Sequence, residues 1–249
     1  MIPQETILTL RQLAERYEEA GFINGDPSWW MHQVNGEENQ EAVAFVAASL
    51  SYGSRTQFMP KIEQLLNKAQ GDMAMWIRNR EYARTFAPND EHCFYRLYNH
   101  GTMRAFFDAY SQLIDEHTSL KQYVASTAPT CALDVVKTLC NWFFAHGDMH
   151  VTPRNAISSC KRLCMFLRWM VRDNSPVDLG HWADVVDKRT LIIPMDTHVL
   201  SEANKLGLIH GRNATMQAAL KLTDTLREVF PSDPTKADFA LFGLGINPQ

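Results

Sequence analysis

The chain has 249 residues, 45% of them hydrophobic, enough to bury a sizeable core in one large or two small domains. Its formal net charge of −4 excludes a protein that coats nucleic acid indiscriminately but leaves room for a local basic groove. No run of about 18 apolar residues occurs, which excludes a membrane-spanning helix. The N-terminal stretch mixes acids and bases and lacks the parts of a signal peptide, so a cytoplasmic location is expected. Five cysteines (Cys93, Cys131, Cys140, Cys160 and Cys164), odd in number and without a Cys-x-x-Cys, read as reduced thiols.

In chain order, helix signals dominate. The first helix is expected over residues 4–20, followed by an irregular connector, residues 21–38, anchored by Trp29 and Trp30. Residues 39–52 are apolar and Ala-rich, as in a buried helix, and Gly53 suits a turn that needs positive φ. Further helices are predicted over residues 57–68, 72–79, 102–117, 120–125 and 133–146. His146 and His150 lie four apart, but Gly147-Asp148 between them reads as a helix end, so no metal is assigned there.

A basic helix is predicted over residues 156–172, where Ile157, Cys160, Leu163, Cys164, Leu167, Met170 and Val171 form an apolar arc facing a core. Cys160 and Cys164 read as small core residues on that arc. Lys161, Arg168 and Arg172 fall on one flank, because steps of seven and eleven residues return almost to the same angle. From Val151 to Arg172 there are five Lys or Arg residues and no acid, a face set up to meet something anionic. Asn174-Ser175-Pro176 ends the helix, and residues 177–189 connect to the apolar run Leu191-Ile192-Ile193. Asp196 is then placed as N-cap of a helix running to Lys205, which Gly207 closes. The last helices are predicted over residues 215–230 and 234–242. With no repeat and no Gly-rich phosphate loop, the fold is expected to be all-α.

Several runs together carry a resemblance: Cys160-Lys161-Arg162, Phe166-Leu167-Arg168-Trp169-Met170-Val171-Arg172, Val177-Asp178-Leu179-Gly180, Ile192-Ile193-Pro194-Met195-Asp196-Thr197-His198-Val199 and Asp238-Phe239-Ala240-Leu241-Phe242-Gly243. The pattern resembles a bacterial family of uncharacterised proteins that in turn looks like the helix-hairpin-helix DNA glycosylase superfamily. The Pro-x-Asp-Thr-His-Val run is similar to that superfamily's catalytic-aspartate segment, and Lys161 to its Schiff-base lysine. The separation from Lys161 to Asp196 is longer than in endonuclease III-like members. It looks more like the archaeal 8-oxoguanine glycosylase branch, which also has an Asp and an aromatic four residues apart in its last helix, as Asp238 and Phe242 are here. Three departures accompany the match. Arg154-Asn155-Ala156-Ile157-Ser158-Ser159 stands where the superfamily's glycine-bearing hairpin precedes the lysine, Ser201 stands where many members carry Arg, and no cysteine follows Cys164 to hold an iron-sulfur cluster.

The resemblance implies a two-lobed fold with a central cleft, a helical barrel over residues 39–172 and a second lobe made of residues 1–38 and 173–249. It implies Lys161 and Asp196 as catalytic residues and base excision with an associated lyase step on an oxidised purine such as 8-oxoguanine. Asp238, Phe242, Tyr52, Met195 and Pro194 would contact the substrate, with Trp29 and Trp30 as further walls, and Arg154, Arg162, Arg168 and Arg172 the DNA. His198 would orient the aspartate loop. No cofactor and no metal is implied; the expected partner is DNA with damaged bases, engaged by a monomer without a membrane. Two other readings stay open: a non-catalytic nucleic-acid binder on the same scaffold, and a protein-interaction module whose basic face docks an acidic partner.

Overall fold

The structure, a computed structural model, describes residues 2–148 and 150–246. Its helices in chain order are α1 (Gln4–Tyr17), α2 (Glu37–Leu50), α3 (Arg55–Lys68), α4 (Met73–Arg78), α5 (His100–His117), α6 (Leu120–Ser126), α7 (Ala132–Ala145), α8 (Lys161–Val171), α9 (Thr197–Lys205), α10 (Met216–Leu226) and α11 (Ala237–Ile246). The all-α expectation holds among the described residues, apart from one short antiparallel hairpin, β1 (Cys93–Tyr95) and β2 (Tyr98–Asn99), that the sequence reading did not foresee. No helix among them is long and apolar enough to cross a membrane.

The chain forms two compact units. The first comprises Met1–Asn24, Thr130–Val136 and Ala156–Gln249, and the second Gly25–Pro129 and Lys137–Asn155. These limits differ from the expected lobes at Asn39 and Arg172. The connector turns at Pro27–Gln33 pack on α2 and so join the second unit. Helix α8 is bound by backbone hydrogen bonds from Leu179 and Trp182 to Trp169 and Met170, and by side chains of the C-terminal region, so it joins the first.

In the second unit α2 is the central element, buried from Glu41 to Leu50 as its apolar composition implies. Phe45 packs its ring against Phe106, Tyr110 and Phe143 at centroid separations of 5.9, 5.3 and 5.1 Å. Glu41, buried in the same helix, accepts hydrogen bonds from the Leu120 and Lys121 amides at 2.8 and 3.1 Å, so its carboxylate caps the start of α6.

In the first unit α1 lies along α11, with Leu10 and Ala14 fully buried and the Arg11 guanidinium donating to the Val229 carbonyl. Two glycines of α11 permit close approaches. A side chain at Gly243 would overlap the Tyr17 ring, and one at Gly245 would overlap the ring of His198. Phe22 sits edge-on to Phe239 and Phe242, 4.9 and 5.0 Å from their centroids.

Helix α8 begins at Lys161, five residues later than the periodicity predicts. Residues 156–157 instead form a turn, and residues 157–159 pair with the chain entering α10. Ser158 bridges Thr215, the Ser159 amide donates to Ala214, and the Met216 amide donates to Ile157. Backbone groups satisfied in this way are not available to a helix. Ile157 consequently leaves the apolar arc and is 73% exposed, while Cys160, Leu163, Cys164, Leu167, Met170 and Val171 are buried as expected.

Candidate active site

Two helix starts in the first unit hold the central pair. Asp196, in extended conformation, is the N-cap of α9: its Oδ1 accepts the Val199 amide at 2.8 Å. Its other oxygen, Oδ2, accepts from the Lys161 ammonium at 2.7 Å. One carboxylate therefore serves both the helix and the lysine. The two side chains are 37% and 36% exposed, so the pair is open on one side and is not part of the core. Burial pushes the Asp196 carboxyl up, but the Lys161 charge and the amides of Val199 and His198 outweigh it, and it lies below the ordinary carboxylate range.

Lys161 is the first residue of α8 and follows Cys160, which is left-handed with φ 47° and makes no side-chain cap. The segment before it is tied to the segment before Asp196 by one buried bond: Ser159 Oγ donates to the Met195 carbonyl at 2.7 Å. The run into Asp196 is held from behind as well, by the Ile193 amide on Thr223 Oγ1 at 3.0 Å. Periodicity could not single out Ser159, because its partner lies 36 residues away in sequence.

Asp238, in the first turn of α11, is coupled to the same pair. Its carboxylate accepts from Arg168, and it feels the charges of both Lys161 and Asp196. Burial pushes it above the ordinary carboxylate range despite these two cations. Of the two carboxyls that feel the Lys161 charge, Asp196 is lowered and Asp238 raised.

Arg168 and Arg172 require correction. They were expected to grip DNA phosphates, but they are only 3% and 2% exposed, and their charges are satisfied internally. Arg168 Nε lies 3.3 Å from Asp178 Oδ1 in addition to the bond to Asp238. Arg172 binds Glu18 at 2.6 Å, Asp233 at 2.8 Å and Asp178. Asp178 is fully buried; desolvation raises its carboxyl, with the two arginines opposing. Lys236 adds a contact to Glu18 at 3.4 Å. Both guanidiniums also cover the Phe239 ring, at 4.7 and 5.3 Å.

The remaining expected contacts are dispersed. Met195 is fully buried and Pro194 is buried beside it, so neither offers surface to a substrate, a second correction. Phe242 is half-buried and turned to Phe22 and Tyr17, in place of the pocket-lining role expected of it. His198 is exposed and seated on Gly245, and its amide helps to hold Asp196. Arg162 is half-buried in the first turn of α8. Tyr52 and Arg154 belong to the second unit. There Tyr52 sits edge-on to Tyr95 and tilted against Tyr98 and its hydroxyl accepts the Leu97 amide at 3.1 Å, while the exposed Arg154 lies over the Phe144 ring at 4.3 Å. Trp29 and Trp30, half-buried on the turns preceding α2, are in that unit too.

The fold and site thus define an all-α protein with an exposed lysine–aspartate pair backed by a buried arginine–carboxylate network. Residues 26–247 match the family described as "Protein of unknown function (DUF2400)", and the chain belongs to that family. No curated protein and no solved structure matches it.

Proposed function

We propose that the protein excises a damaged base from DNA and cleaves the strand in an associated lyase step, with an oxidised purine such as 8-oxoguanine as substrate. The carrying observation is the 2.7 Å contact between Lys161 Nζ and the Asp196 carboxylate at an open face of the first unit. The resemblance of the two motifs to the helix-hairpin-helix glycosylases supplies the choice of reaction. The proposed setting is a monomer in the cytoplasm.

In this reading the bond between base and C1′ breaks as positive charge grows on the sugar, and the Asp196 carboxylate, held ionised, stabilises that charge. The departing base takes a proton from the Lys161 ammonium. The resulting free amine adds to C1′, and a second proton passes from nitrogen through Asp196 to O4′ as the C1′–O4′ bond opens, leaving a protonated imine and a free hydroxyl. Asp196, again a carboxylate, then takes the C2′ proton as the C3′–O bond breaks, and the phosphate ester leaves from C3′. Asp238, raised by burial and one ion pair away from the core, is the carboxyl placed to read the edge of a base turned out of the duplex.

Borohydride trapping on duplex DNA containing 8-oxoguanine tests the proposal. A covalent adduct forms with the native protein and is absent with Lys161→Gln, whose fold is intact because an exposed pair is worth less than about 1 kcal/mol. No adduct across a panel of lesion-bearing duplexes would sink the reading. The rival, binding without catalysis, draws on the absent glycine hairpin and expects salt-dependent affinity with nothing trapped.

A further inference from the structure

With Arg168 and Arg172 turned inward, the phosphate contacts of the proposed DNA complex must come from elsewhere in the first unit. Two segments stand out by charge. Residues 152–172 contain no acid, and neither do residues 203–223, which carry Lys205, His210, Arg212 and Lys221, in a chain with 28 acidic residues. The fold pairs these two segments edge to edge through Ser158 and Thr215, the Ser159 amide on Ala214 at 3.3 Å, and the Met216 amide on Ile157 at 3.0 Å. The pairing is antiparallel. As one segment runs forward from Ser158 into Lys161, the other runs back from Thr215 through Ala214 to a bend at Arg212 and Asn213.

Arg212 is exposed and makes no ion pair with any described residue. The loop that carries it is nevertheless held. Asn204 near the end of α9 donates to the Gly211 carbonyl at 3.0 Å and accepts the Gly211 amide at 3.1 Å, a two-point clamp one residue before the arginine. A cation without a partner on an anchored loop loses little freedom when it binds. Ile157, 73% exposed, stands at the opposite end of the pairing, across from Met216. Phosphate oxygens take most of the hydrogen bonds that proteins give to DNA, with arginine a main donor.

We infer that Arg212, on the clamped bend that leads into this pairing, grips a phosphate of the nucleic acid's sugar-phosphate backbone. The inference rests on the proposed function and locates the backbone contact of that same site.

The test is fluorescence anisotropy on a labelled duplex carrying a stable tetrahydrofuran abasic analogue, for the native protein, Arg212→Ala and the charge-matched control Lys68→Ala in the second unit. At intermediate salt Arg212→Ala weakens binding about fivefold to tenfold, and the slope of log Kd against log salt between about 50 and 200 mM NaCl falls by about 1. Lys68→Ala behaves as native, and Arg212→Ala still forms the borohydride adduct on 8-oxoguanine duplex at saturating protein. Native-like affinity and slope in Arg212→Ala overturn the inference, as does loss of the adduct at saturation, which would put Arg212 in the chemistry. If the native protein neither binds nor is trapped, the proposed function fails, and this inference with it; if it does both while Arg212→Ala matches it, only the inference fails. Selective loss of affinity for an acidic protein, with DNA binding kept, would assign the edge to that partner instead.

Discussion

Replacing Arg168 by Met separates its two assignments, a surface contact for phosphate and a buried counter-ion. The substitution keeps most of the side-chain volume and removes the charge. Asp238 loses its ion pair, and the fully buried Asp178 keeps only Arg172. Breaking a buried pair by removing one partner costs about 3–5 kcal/mol, and because Arg172 still serves Asp178 the lower end applies, about 3 kcal/mol. At about 2–4 °C per kcal/mol for a chain of this size, the thermal midpoint falls by about 6–12 °C. The loss depends on pH in a set direction. Burial already holds Asp178 and Asp238 above the ordinary carboxylate value, and without Arg168 they rise further. A carboxyl raised in the folded state contributes stability that is present in acid and is lost as pH rises through its folded value. The deficit of Arg168→Met is therefore small near pH 4 and grows toward neutrality. Urea unfolding followed by tryptophan fluorescence at acidic and neutral pH measures it, and adding Asp238→Asn recovers part of the loss. A deficit below about 1 kcal/mol, equal at both pH values, would refute the buried-network argument.

Two further outcomes follow from the pair and its brace. Asp196→Asn keeps the α9 cap but removes the ion pair; because the native carboxyl is lowered, the stability it adds is present above the ordinary aspartate value of about 3.9 and vanishes as pH falls through the folded value, and solvent screening keeps it under about 1 kcal/mol. Chemical denaturation of both proteins from pH 3 to 7 reads this as two curves converging in acid, whereas trapping on damaged DNA is lost throughout. Ser159→Ala frees the Met195 carbonyl and lets the two helix starts drift, so single-turnover trapping slows about tenfold, equivalent to about 1.4 kcal/mol of barrier, with duplex affinity unchanged and Ser159→Thr restoring most of the rate. Equal trapping rates in Ser159→Ala and native protein would remove Ser159 from any positioning role.

What was legible in the sequence was local. The Asp196 cap is readable because an Asp before a helical run has one main use, and the buried α2 because its composition leaves no polar face. The pairing of Lys161 with Asp196 was visible only through resemblance, since 35 residues separate them. Helical spacing correctly put Arg168 and Arg172 on one flank, but which flank faces carboxylates depends on Glu18, Asp233 and Asp238, up to 154 residues away. The later start of α8 has the same cause: Ile157 has helical spacing but lies in a turn, its carbonyl taken by the Met216 amide at the start of α10. The hairpin escaped notice because its turn uses Arg96 at φ 51°, where a reader looks for Gly or Asn.

The start of α8 is poorly made as a helix terminus, and this is itself informative. The N-cap position holds Cys160 in a left-handed conformation with no side-chain capping bond, the first turn carries no acid, and the first two residues are Lys161 and Arg162, at the end of the dipole where cations are unfavourable. Helix α9 begins in the opposite way, with an aspartate cap bonded to the third residue of the helix. The first arrangement is the less favourable of the two for a helix start. The two starts make sense together: the carboxylate that caps α9 also neutralises the lysine that α8 cannot accommodate alone, and Ser159 fixes the separation between them. Stability forgone at one helix end and recovered through a partner on another is the mark of a position kept for its chemistry. It is why Lys161, more than any other exposed cation of the first unit, is the residue whose replacement is most informative.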